Sequence, residues 1–151
     1  MKFGSVDEIL DYAIRKEQEA ADLYMSLAGK VEKKHMKVIF EEFALEEKGH
    51  KLKLEKIKEG KLDFSPLSQK ITDLKIGDYL VDTSPDADLT YQQALIIAMK
   101  EEKAAFRLYN DLAALTDNPE FKQIFLGLAQ EEAKHKLRFE IEYDDMILTE
   151  N

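Results

Sequence analysis

Residues 39–52 read IFEEFALEEKGHKL, and residues 124–137 read IFLGLAQEEAKHKL. The two stretches lie 85 positions apart, and 8 of their 14 positions are identical. The same offset lays Ala13-x3-Glu17-x2-Ala20-x2-Leu23-Tyr24 on Ala98-x3-Glu102-x2-Ala105-x2-Leu108-Tyr109. One shift that serves both windows means that the chain holds two copies of one unit. Each copy carries two segments whose apolar residues recur at helical spacing.

Working outward, the first helix is expected to begin near Ser5, where Ser5 and Glu8 fit a capping box, and to stop near Gly29. Its apolar face is Leu10, Ala13, Ile14, Ala20, Ala21, Tyr24 and Leu27. The second runs from about Glu32 to Glu59, ahead of Gly60, with Phe40, Phe43, Leu54 and Ile57 inward. The third begins near Thr90, with Gln93 completing a capping box, and turns Leu95, Ala98, Met99, Ala105, Phe106, Tyr109 and Leu112 inward. The fourth opens on Asn118-Pro119, an N-cap followed by proline at the first helical position. Its inner face is Phe121, Phe125, Leu128 and Phe139. Residues 60–89 break the pattern with Pro66 and Pro85, and a short helix is expected near Thr72–Val81.

The expected architecture is an all-α four-helix bundle of two repeated hairpins, about 5–59 and 90–146, joined by a crossover of about 60–89 in a single domain, 1–151. A link of that length spans the bundle and lets the second and third helices run parallel.

Composition narrows the function classes. The chain has 151 residues, 44% of them hydrophobic, enough for a core at this size. Lys and Arg number 22 against 31 Asp and Glu, a net charge of −9 that disfavours nucleic acid as a partner. There is no cysteine, hence no disulfide, no Cys-ligated metal and no thiol nucleophile. No apolar run approaches the ~18 residues of a membrane span, and a cytoplasmic protein is expected.

Certain polar residues lie on the apolar stripes. Glu47 falls four residues after Phe43 and seven before Leu54; Glu132 falls four after Leu128 and seven before Phe139. His50 and His135 follow at i+3, on the same face one turn along. Glu17 lies between Ala13 and Ala20, and Glu102 between Ala98 and Ala105. Glu101 rivals Glu102, because Ile97, Ala104 and Leu108 surround it. Glu46 and Glu131 point nearer the charged side, beside Glu42, Lys53 and Arg138, while Glu19 and His35 read as solvent-facing. Four carboxylates in an apolar core are costly unless neutralised, and two divalent metals carry the matching +4. One Glu from each of two helices and Glu-x-x-His from each of the other two is the ligand pattern of di-iron and di-manganese bundles. Mixed oxygen and nitrogen donors favour iron or manganese over calcium or magnesium.

Glu17, Glu47-x2-His50, Glu102 and Glu132-x2-His135 together make the chain resemble the ferritin-like superfamily, and within it the rubrerythrin-type proteins. The resemblance covers the four helices. It implies two iron ions, with manganese an alternative, held by Glu17, Glu47, His50, Glu102, Glu132 and His135. Glu47 and Glu132 would bridge, and no catalytic residue is expected beyond the ligands. Tyr24 and Tyr109 are expected beside them, their hydroxyls bonded to ligand carboxylates. The implied activity is reduction of hydrogen peroxide or oxygen in oxidative-stress defence. Rubrerythrins carry a Cys-ligated iron domain, and this chain has no cysteine, so electrons are expected from a separate donor such as a rubredoxin. Rubrerythrins also have a further Glu on the third helix, where this chain has Ala105. A ferroxidase or iron-storage protein and a di-iron oxygenase of the same fold are the alternatives. A homodimer or higher homo-oligomer is expected.

Overall fold

The computed structural model describes residues 6–59 and 90–150. They form four helices: α1 (Val6–Lys30), α2 (Lys34–Glu59), α3 (Tyr91–Leu115) and α4 (Pro119–Glu150). There is no strand among the described residues, and the fold is all-α. The chain divides into two compact units, one built on α1 and α2 and the other on α3 and α4. The 60–89 connection lies outside the described residues, and with it Gly60, both prolines and the short helix expected near Thr72–Val81. So does the Ser5 cap.

The duplication read from side chains is present in the backbone. The starts of α1 and α3, their ends, and the starts of α2 and α4 are each 85 residues apart. Three residues make each turn, 31–33 in the first hairpin and 116–118 in the second. So short a link leaves the two helices of a hairpin antiparallel neighbours.

Local chemistry sets the helix ends. The Thr90 hydroxyl accepts from the Gln93 backbone N–H at 3.1 Å, and the Gln93 side chain accepts from the Thr90 N–H at 3.0 Å, a complete capping box. At the head of α4 the Asn118 side-chain oxygen accepts from the N–H groups of Glu120 (2.9 Å) and Phe121 (3.2 Å). Pro119 occupies the first helical position, where its missing N–H is no loss. Asn118→Ala should lower unfolding free energy by about 1 kcal/mol; an unchanged midpoint in a urea melt would contradict this account of the cap.

Three boundaries differ from expectation. Gly29 lies inside α1, which continues to Lys30, with the Val31 N–H bonded to the Leu27 carbonyl at 3.0 Å. The second helix starts at Lys34, two residues later than expected. The fourth runs on to Glu150, four residues past about 146.

Within the first hairpin Leu10, Ala13, Ala21, Tyr24 and Leu27 are buried on α1, and Phe40, Leu54 and Ile57 on α2. The Tyr24 ring stacks on Phe40 (6.1 Å between centroids) and meets Phe43 edge-on (6.4 Å). Lys51 donates to the Gln18 side chain at 2.9 Å, and Lys58 pairs with Asp11, so polar links also join α1 to α2. In the second hairpin Leu95, Ala98, Tyr109 and Leu112 are buried on α3, and Phe121, Phe125, Leu128 and Phe139 on α4. Phe106 corrects the sequence reading: it was placed on the inner face and is 39% exposed. It lies one residue after Ala105, which takes a half-buried position, and the 100° step carries the larger ring outward.

Candidate metal centre

The turns put the polar core residues level. From Glu17 to Lys30 is thirteen residues, and from Lys34 to Glu47 is thirteen. From Glu102 to Leu115 and from Pro119 to Glu132 the count is again thirteen. In an antiparallel hairpin equal distances from the turn mean equal height, here ~20 Å. Glu17 therefore faces Glu47 across the first hairpin, and Glu102 faces Glu132 across the second. Each histidine follows its Glu by three residues and turns to the same side.

The geometry follows. Glu17, Glu47 and His50 each present a donor atom, and these atoms lie within 4.8 Å of one another. His50 Nδ1 is 3.5 Å from Glu17 Oε2 and 3.8 Å from Glu47 Oε1. Glu102, Glu132 and His135 repeat the arrangement within the same 4.8 Å. His135 Nδ1 is 3.5 Å from Glu102 Oε1. All six side chains are buried, at 1–2% exposure. Ordinary surface glutamates do not sit there. In both hairpins Nδ1 is the imidazole nitrogen turned to the carboxylates.

The structure separates the adjacent glutamates. Glu102 is buried and Glu101 half-buried, so Glu102 is the one that faces Glu132. Glu46 and Glu19 are exposed and Glu131 is half-buried. His35 is exposed, as read. Tyr24 and Tyr109 are fully buried in their hairpins.

One buried acid was not foreseen. Glu142 of α4 is 4% exposed and accepts from the Tyr91 hydroxyl of α3 at 3.1 Å. Burial, together with the nearby Glu142 carboxylate, pushes the Tyr91 phenol well above its ordinary pKa. A signal for Glu142 existed: it stands three residues after Phe139 and seven after His135, on the stripe already identified. Its first-hairpin counterpart is Ile57, so the duplication did not flag it.

Buried carboxylates and imidazole nitrogens that converge in this way, with no thiol, form a donor set for a first-row divalent metal. An all-α chain with such a set on each of two hairpins is a ferritin-like protein. The chain belongs to the rubrerythrin family, whose model matches residues 8–143. Membership implies an iron-binding protein. No match was found among curated proteins or among solved structures. No described helix is long and apolar enough to cross a membrane.

Proposed function

We propose that the two hairpins close level with each other in one domain and pool their ligands around two iron ions. Glu17, Glu47, His50, Glu102, Glu132 and His135 would hold them, with manganese able to substitute. A single observation carries this: the same buried trio, Glu with Glu-x-x-His, occurs in both hairpins at the same height. When bound, the iron pair would supply electrons to hydrogen peroxide or oxygen.

The chain's own residues do the rest. The four carboxylates offset the +4 of two divalent ions, so metal binding removes the burden of buried like charge. On the family pattern Glu47 and Glu132, each followed one turn on by its histidine, would be the carboxylates that serve both metals. The imidazoles present Nδ1 as neutral donors, which leaves the proton on Nε2. Ala20, Ala21 and Ala105 would leave room beside the metals for a small oxidant, while the buried Tyr24 and Tyr109 rings would restrict water. The Tyr24 and Tyr109 hydroxyls would orient ligand carboxylates. Electrons come from a separate carrier such as a rubredoxin, and the setting is cytoplasmic.

Anaerobic protein loaded with Fe²⁺ should oxidise on mixing with peroxide, faster than with oxygen, and should turn over only with an added donor. Stopped-flow absorbance follows the first step and peroxide consumption the second. Ferrous protein inert to both oxidants would sink the proposal.

A further inference from the structure

Tyr91 and Glu142 form a phenol–carboxylate pair outside the proposed ligand set. The Tyr91 hydroxyl donates to Glu142 Oε1 at 3.1 Å, from α3 to α4, and Glu142 is 4% exposed. The pair does not come from the duplication, because the first-hairpin counterparts are Val6 and Ile57. A buried carboxylate where the sister helix carries isoleucine costs stability, so packing by itself gives no reason for it. Glu142 lies two turns beyond His135 on the inner stripe of α4, ~10 Å along the helix, with the fully buried Phe139 between them. A proton does not cross that span, since proton transfer needs hydrogen-bond reach. An electron does, and an aromatic ring lies on the way.

We propose that Tyr91 is a redox-active tyrosine, with Glu142 as the acceptor of its proton, and that it supplies an electron to peroxide reduction when the external donor runs short. This use rests on the di-iron reading. Reduction of one hydrogen peroxide to two waters breaks the O–O bond and takes two electrons and two protons. With a single ferrous ion left, one electron comes from that ion, which ends ferric, and the other from Tyr91. The Tyr91 O–H bond breaks, its proton passes to the Glu142 carboxylate, and a neutral phenoxyl radical remains. The two protons that complete the waters come from solvent. Burial and the Glu142 carboxylate hold the phenol protonated, so it yields an electron easily only if its proton has an acceptor at hand. Tyr24 and Tyr109 belong nearer the ligands, but the carboxylates proposed to accept from them are those that metal engages, which makes them poor proton acceptors. Tyr143 meets the Gln92 side-chain amide at 3.4 Å, a donor that takes no proton.

Azide radical made by pulse radiolysis, a one-electron oxidant, tests the pair in the metal-free full chain. The long-lived product should be a phenoxyl radical on Tyr91, read by absorbance and electron paramagnetic resonance, and Tyr91→Phe should abolish it. Glu142→Gln keeps an oxygen to accept the hydrogen bond but takes no proton. It should slow radical formation by about a hundredfold, the scale of a positioned proton acceptor. Tyr143→Phe should leave the signal unchanged, and helical circular dichroism confirms that each variant is folded. Protein loaded with a single Fe²⁺ per chain should give the same radical on mixing with peroxide. A signal that survives Tyr91→Phe, formation equally fast in Glu142→Gln, or iron oxidised by peroxide with no Tyr91 radical would each overturn the proposal. Ferrous protein inert to peroxide, beside a Tyr91 radical in the metal-free chain, would uphold the Tyr91–Glu142 pair and count against the di-iron reading, because the first measurement needs no metal.

Discussion

Glu47→Ala and Glu132→Ala should each strip metal from the centre, while Glu46→Ala and Glu131→Ala should keep two metals per chain. The pairs differ by one residue, hence by 100° around the helix. Glu47 and Glu132 are buried among donor atoms; Glu46 is exposed and Glu131 half-buried. The first pair should have the largest effect of any single substitution, because each residue is proposed to touch both metals. His50→Ala and His135→Ala should weaken one metal more than the other. Stability supplies a second readout with the opposite sign. Within each hairpin two carboxylates lie within 4.8 Å, and at an effective dielectric of ~20 their repulsion is roughly 3 kcal/mol. Removing one should therefore leave the metal-free protein as stable as the parent, or more so, although it no longer gains from metal. Metal analysis and melting curves on the variants check both. Metal lost from the Glu46 and Glu131 variants but kept at Glu47 and Glu132 would place the helix register wrong by one residue.

Thorough chelation should lower the melting temperature strongly, and Fe²⁺ or Mn²⁺ should restore it. Without metal the buried carboxylates must repel one another or let the core loosen. Metal that binds only the folded state stabilises it by about 2.7 kcal/mol per site when free metal is a hundred times Kd. At ~2–4 °C per kcal/mol for a chain of this size, two sites shift the midpoint by on the order of 10–20 °C. The shift should shrink in Glu47→Ala and persist in Glu46→Ala. Coincident melting curves with and without metal would end the di-metal reading.

The helical hairpins were legible because their signals are local. Thr90 with Gln93, and Asn118 with Pro119, begin α3 and α4 where the sequence reading put them, since caps depend on residues within one turn of each other. The six candidate ligands were legible for a different reason. Charge on an apolar stripe contradicts its surroundings, and the 85-residue duplication showed the contradiction twice. Phe106 misled because it lies near the edge of the stripe, where hydrophobicity by itself does not decide the facing.

The sequence by itself therefore determined the four helices among the described residues, the pairing of α1 with α2 and of α3 with α4, and, Phe106 apart, the inner stripes, because helical periodicity and capping act over a few residues. The duplication put Glu102 ahead of Glu101 as the counterpart of Glu17, and the tertiary structure shows Glu102 buried and Glu101 half-buried. Both have apolar neighbours, and the choice depends on which of two directions 100° apart faces α4. Only the tertiary structure showed that Glu142 is buried against Tyr91, a contact between residues 51 apart with no counterpart in the first hairpin. And only it showed that Val38, Leu45 and Leu52 are left uncovered, because an apolar residue is the same letter in the sequence whether or not another helix packs on it.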